Sequence, residues 1–243
     1  MIFGMKPIIE AIDSGKEIDK ILLKKGLEGE SQRELRALIN SHKIPFQIVP
    51  FQKLDNITRK NHQGVVAFIS LITYQDIENI IPQIYERGKD PLILILDKIT
   101  DVRNFGAIAR TAVCSGVDAI LIPQQHAAQI NEDAVKTSAV GLFKIAVCRE
   151  PNLKTTIRFL KDSGLQIVAC TEKGAEEMYN VDFVMPTAII MGAEDVGISN
   201  EYIKLSDHKV KIPILGDIDS LNVSVSAGVI LYEAVRQRSG NSL

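Results

Sequence analysis

The chain has 243 residues, of which 46% are hydrophobic and 24% charged, and a formal net charge of −2. That balance is expected of a soluble globular chain and argues against a protein that coats nucleic acid wholesale. No apolar run approaches the ~20 residues of a membrane span, and the first residues lack the basic-then-apolar layout of a signal peptide.

The three cysteines (Cys114, Cys148, Cys170) and four histidines are scattered. Neither a disulfide framework nor a metal cluster is expected, and a reducing cytoplasm is the expected home. Charge is uneven: residues 1–73 hold eleven Lys and Arg against eight Asp and Glu, a balance of +3, and the remainder carries −5. A mild basic bias suits an RNA backbone, and it equally suits ordinary surface variation.

Residues 1–73 read as a small α/β unit. "MKPIIEAIDSG" predicts a short helix stopped by Gly15, and "EIDKILLKKG" a strand ended by Gly26. An amphipathic helix over "EGESQRELRALINSHK" and a strand between two prolines, "PFQIVP", follow. "HQGVVAFISLI" is a β-branched strand after a glycine turn. Residues 74–90 read as a linker or short helix, which places a boundary before Pro91.

From residue 91 strands and helices alternate. "PLILILD" is continuously apolar, as a strand covered on both faces must be. "NFGAIARTAVCSG" predicts a helix with Asn104 at its cap, and "VDAILIP" the next strand. "NEDAVKTSAVGLF" predicts a helix capped by Asn131. Strands over "FKIAVCR", "LQIVACT", "TAIIMGAE" and "HKVKIPI" follow, with a helix over "NLKTTIRFLKDSG" and a last one within "SLNVSVSAGVILYEAVRQR". The alternation predicts a mostly parallel sheet with helices on both faces.

Such sheets bind ligands beyond the C-terminal ends of their strands. Three of the following loops hold polar residues with no evident local duty: "KITDVRNFGAIARTA", "GAEDVGIS" and "LGDIDSLNVS". No GxGxxG, P-loop, GxSxG or HExxH pattern occurs, which weakens nucleotide hydrolases, α/β-hydrolases, zinc proteases and NAD enzymes. Asn104 reads equally as a helix cap. Arg110 lies in a small, apolar helix and suits either a snorkelling edge position or a grip on phosphate. Glu194 sits between Gly192 and Gly197, where backbone can approach a ligand.

Taken together, "DVRNFGAIARTA", "IIMGAEDVGIS" and "IPILGDIDSLNVSVSAGVILYEAV" resemble, in order and spacing, the three motifs of the SpoU branch of the SPOUT methyltransferases. The resemblance covers residues 91–239. "HQGVVA" and the unit around it are similar to the substrate-binding domain, like ribosomal protein L30e, that precedes the catalytic domain in one subgroup. That subgroup contains the large-subunit (23S) ribosomal RNA guanosine 2′-O-methyltransferases.

The resemblance implies an L30e-like domain over 1–73, a linker over 74–90 and a SPOUT domain over 91–243 threaded into a deep trefoil knot. It implies a homodimer that binds S-adenosyl-L-methionine through positions Gly192, Ile212 and Leu221. Its catalytic positions fall on Asn104, Arg110, Glu194, Ser220 and Asn222. The implied reaction is methyl transfer to a ribose 2′-hydroxyl of RNA, with no metal required. Lys16, Lys20, Lys24, Lys25, Lys43, Arg59 and Lys60 become candidates for phosphate contacts. A transfer RNA 2′-O-methyltransferase, a catalytically silent RNA-binding factor of the same fold, and a small-molecule α/β enzyme are the alternatives weighed.

Overall fold

A computed structural model describes residues 1–217 and 220–240, so Ile218 and Asp219 of the third loop motif and residues 241–243 lie outside it. The chain divides into two compact units, residues 1–73 and 74–243.

The first unit runs β1 (Ile2–Phe3), α1 (Met5–Asp13), β2 (Ile18–Lys24), α2 (Glu30–Ser41), β3 (Phe46–Val49), α3 (Phe51–Ile57) and β4 (Val65–Ile69). Its sheet has the order β1-β4-β2-β3; β2 and β3 are parallel and the other pairs antiparallel. The period of two sorts side chains by face. Ile21, Leu23, Val65 and Ala67 pack under Ile8, Ile12, Leu35 and Ile39, while Leu22 and Val66 turn to Val49 and Leu54.

The residues "HQG" prove to be a staple. His62 is 3% exposed and both ring nitrogens are committed. Nδ1 accepts from the Gly64 N–H at 3.0 Å, and Nε2 lies 3.0 Å from Asp55 Oδ1. Gln63 Oε1 accepts from the Met5 N–H at 3.0 Å, capping α1 where Gly4 has no side chain to do so.

The second unit opens with α4 (Ile77–Glu86), capped by Asp76. The segment expected to link the units is thus largely helix, with Ile77, Ile81 and Ile84 buried in the core of the second unit. Then come β5 (Leu92–Asp97), α5 (Val102–Cys114), β6 (Ala119–Pro123), α6 (Glu132–Thr137), β7 (Ala146–Glu150), α7 (Leu153–Asp162) and β8 (Gln166–Cys170). The chain continues through β9 (Glu176–Glu177), β10 (Thr187–Gly192), α8 (Asn200–Leu205), β11 (His208–Lys211) and α9 (Val223–Gly240).

The seven strands are ordered β7-β6-β5-β10-β8-β11-β9, and every adjacent pair is parallel. The full burial of β5 and near-full burial of β10 explain their uninterrupted apolar sequences. Helices α4 and α7 cover one face, and α5 and α9 pack together on the other. The chain steps outward from β5 through β6 to β7, then returns to set β10 on the other side of β5. In open parallel sheets such a reversal points to a ligand site beyond the strand ends.

Two helices start or stop where the sequence did not predict. α5 begins at Val102, because the Asp101 carboxylate accepts the Asn104 N–H at 2.7 Å and takes the capping role assigned to Asn104. α6 ends at Thr137, since Ala139 and Val140 adopt φ of 48° and 64°, outside the helical region. Strands β1 and β9 and helices α3 and α8 are too short for periodicity to reveal.

Candidate functional site

A cavity of about 230 Å³ opens beyond the C-terminal ends of β8, β10 and β11. Its wall comprises residues 170–173 after β8, 192–198 after β10, Ile212 and Ile214 after β11, and Ser220, Leu221, Val223 and Ser226 leading into α9. The loop after β10 folds back on itself, with the Gly197 N–H donating to the Ala193 carbonyl at 2.8 Å. Gly192 is required there: a Cβ would lie 2.2 Å from the Gly197 carbonyl carbon and 2.3 Å from the Ile198 nitrogen. Asp97, 2% exposed at the end of β5, anchors the far end of that loop by accepting the Ser199 N–H at 2.7 Å.

Beside the cavity, one carboxylate oxygen joins the three motifs. Glu194 Oε1 accepts from Asn104 Nδ2 at 3.3 Å, from Asn222 Nδ2 at 2.5 Å and from the Val223 N–H at 3.1 Å. Asn222 Nδ2 also donates to Asn104 Oδ1 at 3.1 Å. The Asn222 amide is oriented from its other end, where Oδ1 accepts from the Ser224 N–H at 2.9 Å and caps α9. Both Asn222 amide protons are therefore aimed at the site. The Val223 N–H is one of the donors that a helix start leaves without an intrahelical partner, and a carboxylate is electrostatically favoured there.

The structure brings together Asn104, Glu194 and Asn222, and separately sets Gly192, Ile212, Leu221, Glu194 and Ser220 along the cavity wall. Arg110 joins neither group. It is exposed on the outer side of α5, with its Cα packed near Gly141, and has no hydrogen bond or ion pair among the described residues. An exposed arginine with no partner among the described residues is available to an external anion.

Sequence reasoning missed Asp97 and the loop 171–173. Both carried a signal. A lone acid closing the apolar run "LILILD" has no reason to be buried unless it accepts a bond, and "TEK" follows a parallel strand as the three chosen loops do.

The cavity wall holds three carboxylates, from Glu172, Glu194 and Asp195, against the single ammonium of Lys173, a balance that favours a cationic ligand. Burial pushes the thiol of Cys170, which also faces the cavity, up to about 12, so it stays protonated at neutral pH. Among the described residues no three His, Cys, Asp or Glu side chains are grouped to hold a metal ion. No helix among them is long and apolar enough to cross a membrane.

Residues 91–232 match the model of the SpoU rRNA Methylase family. The chain belongs to that family. Residues 1–75 match a second SpoU model, described as RNA 2′-O ribose methyltransferase substrate binding. A provisionally named TrmH family tRNA/rRNA methyltransferase of Staphylococcus saprophyticus is 36% identical over 98% of this chain and 96% of its own length. A relative of the same name from Staphylococcus aureus is 34% identical over the same shares.

Among solved structures, the SpoU methyltransferase AviRb of Streptomyces viridochromogenes, in complex with the cofactor AdoMet, is similar with a TM-score of 0.63 and 26% identity, covering 98% of this chain and 90% of its own. An AdoMet-bound rRNA methyltransferase of Sinorhizobium meliloti gives 0.62 and 26%, covering 97% and 86%. A TrmH/SpoU tRNA modifying enzyme of A. aeolicus gives 0.58 and 31%, but covers 68% of this chain and 86% of its own. This SpoU chain is thus an RNA methyltransferase, with an α/β fold and a seven-stranded parallel sheet like those of its SpoU relatives.

Proposed function

We propose that this protein transfers a methyl group from S-adenosylmethionine to a ribose 2′-hydroxyl in RNA, and that its target is a guanosine of large-subunit (23S) ribosomal RNA. The observation that carries this reading is the Asn104–Glu194–Asn222 hydrogen-bond set beside the cavity. A silent RNA-binding factor has no use for an exposed carboxylate held by three donors.

The cavity fits the cofactor. Close backbone packing at Gly192, the apolar side chains of Ile212 and Leu221, and the excess of carboxylates suit an adenosine with a cationic sulfonium. Gly192, Ile212, Leu221 and the loop 171–173 would hold it. When bound, S-adenosylmethionine supplies an electrophilic methyl group.

The chain's own residues then position the nucleophile. A ribose hydroxyl is a poor nucleophile near neutral pH, so its placement and the loss of its proton govern the rate. The Arg110 guanidinium offers a fork of donors that clamps a phosphate so that the neighbouring hydroxyl faces the cavity. The Ser220 hydroxyl, at the cavity wall, is the nearest candidate to orient that hydroxyl. Asn104, Glu194 and Asn222 keep the three loops in register beneath it.

Ribosomal RNA is favoured over transfer RNA because the S. meliloti rRNA methyltransferase aligns across both units, whereas the A. aeolicus tRNA enzyme aligns with 68% of this chain. Residues 1–73 are proposed as an L30e-like RNA-binding domain and 91–243 as the knotted SPOUT domain. A homodimer is supported by the last helix. On α9 the apolar side chain of Val225 and the ring of Tyr232 stay 50% and 52% exposed, as residues that await a partner surface do. The cytoplasm is proposed as the place where it meets its RNA.

The experiment is a map of 2′-O-methylation across ribosomal and transfer RNA from cells with and without the gene, joined to tritium transfer by the purified protein. Loss of one 23S guanosine mark, restored by the wild type and not by Arg110→Ala, is expected. Loss of a tRNA mark instead would move the substrate. Near-normal transfer by Arg110→Ala would remove the arginine from the site.

A further inference from the structure

The first unit holds a concavity of its own, about 270 Å³, that methyl transfer at the strand ends leaves without a role. Its lining includes Lys24, Phe51, Asp55, Lys60, His62 and Gly64. We propose that it receives one unpaired nucleotide of the RNA substrate, the base stacking on Phe51 and the adjoining phosphates meeting Lys24 and Lys60. The inference deepens the RNA methyltransferase reading and takes the identity of its ligand from that reading.

Three observations carry it. Phe51, the first residue of α3, is 45% exposed, although an aromatic ring of its size is ordinarily worth burying. The two lysines sit over aromatic rings, Lys24 Nζ 5.1 Å from the Phe51 centroid and Lys60 Nζ 5.8 Å from that of Phe3. Lysines flanking an exposed aromatic ring are the arrangement by which proteins hold single-stranded nucleic acid.

The floor is rigid. His62 lies against Phe51 with ring centroids 5.0 Å apart and is fixed through both nitrogens to Asp55 and Gly64. Gln63 and Gly64 adopt successive positive φ of 52° and 79°, a conformation that costs energy at Gln63 and that the His62 and Gln63 side-chain bonds hold in place. A Cβ on Gly64 would lie 2.8 Å from Leu27 Cδ1 and 3.2 Å from Lys24 Cβ, so glycine keeps the wall closed around the concavity.

Size and polarity select the ligand. The volume sits near the lower end of small-molecule pockets, roughly 300 Å³, which admits a single base and not the edge of a duplex. His62 has no ring nitrogen left to read a base. Asp55 does have capacity: Oδ1 is engaged by His62, its side chain is 48% exposed, and the second oxygen accepts a base N–H.

The chain contains no tryptophan, so Phe51→Trp places its sole indole in the concavity. Full-length wild type, Phe51→Leu, Phe51→Trp, Lys24→Ala and Lys60→Ala are titrated with a short fluorescein-labelled single-stranded oligoribonucleotide and with the matching duplex. Cofactor affinity and the thermal midpoint serve as controls for folding. Phe51→Leu, which keeps apolar volume but loses the ring, should weaken single-strand binding about tenfold. Phe51→Trp should bind at near wild-type affinity with its emission quenched by RNA. Each lysine variant should weaken binding and flatten the salt dependence.

Unchanged affinity in folded Phe51→Leu, or unchanged indole emission from Phe51→Trp at saturating RNA, would overturn the proposal, as would stronger binding of the duplex. Failure of the wider reading is read separately: a wild type that transfers no methyl group to RNA defeats the methyltransferase assignment, whereas transfer with an indifferent Phe51 defeats only the concavity.

Discussion

Asn222 Nδ2 reaches Glu194 Oε1 at 2.5 Å, joining the residue that caps α9 to the loop that follows β10. One amide thus both starts a helix and fixes the carboxylate of the site. The two duties are separable by substitution.

Asn222→Asp should separate them. Aspartate still accepts the Ser224 N–H, so the cap survives. It donates nothing and sets a second negative charge against Glu194. The fold should hold, with methyl transfer lost at neutral pH. Like charges raise a carboxyl pKa, so one acid of the pair takes up a proton as pH falls, and part of the activity should return on the acid side. A flat pH profile for the variant, beside the wild-type profile, would exclude that repulsion.

Glu194→Ala removes the common acceptor of Asn104, Asn222 and the Val223 N–H. The Asn104 and Asn222 bonds lie at the surface, where water compensates, so the part-buried Val223 N–H sets the cost, about 1 kcal/mol. Transfer should drop about 100-fold, the scale of a small misplacement of reacting groups. Glu194→Gln keeps an acceptor oxygen and should lose less. Steady-state kinetics alongside denaturant melts check both.

Gly192→Ala should damage the cofactor cavity directly. The added methyl meets the backbone of Gly197 and Ile198 rather than a side chain that can swing away. A cost of about 1–3 kcal/mol is expected, with a matching fall in cofactor affinity by calorimetry.

Asp97→Ala strips the buried acceptor of the Ser199 N–H. The orphaned donor should cost about 1–3 kcal/mol and loosen the loop 193–199, weakening cofactor binding. Asp97→Asn keeps an acceptor and should do less harm on both counts, which thermal melts and cofactor titration compare.

Acid should weaken the second unit at Asp207. Burial alone pushes this carboxyl up, but the Lys161 hydrogen bond, the Ile167 N–H and the charges of Lys161 and His208 outweigh it and hold it below its usual value. Lys161 Nζ lies 2.6 Å from Oδ1, and the Ile167 N–H is 2.8 Å from Oδ2. A depressed carboxyl stabilises the fold above its unfolded value, and the gain disappears as pH falls through the folded value. The gap in thermal midpoint between wild type and Asp207→Asn should be present at neutral pH and close in acid, below the ordinary carboxylate range.

The sheet was legible because its strands are long, apolar and regularly interrupted by helices. β5 and β10 declare their burial in the apolar runs 92–96 and 188–191. The site was legible residue by residue only through resemblance, because its bonds span far in sequence: Asn222 meets Asn104 across 118 residues. Local patterns mislead where two groups compete for one duty. Asn104 looks like a cap until Asp101, three residues earlier, proves to be the acceptor of its N–H. Short elements such as α3 and α8 draw their stability from packing, which no window of sequence contains.

The far end of α9 has a consequence for the order in which the molecule is made. Arg238 donates to the carbonyls of Asp90, Pro91, Phe183 and Met185, and Gln237 holds Val181 and Phe183. The backbone at the threshold of β5 therefore waits for a partner synthesised 147 residues later. A chain emerging from the ribosome has made β5, β6 and β7 long before it gains either this clasp or the Asn222 amide at the other end of the same helix. The Pro91 carbonyl and the Glu194 carboxylate thus gain their partners together, from the two ends of the one helix made last.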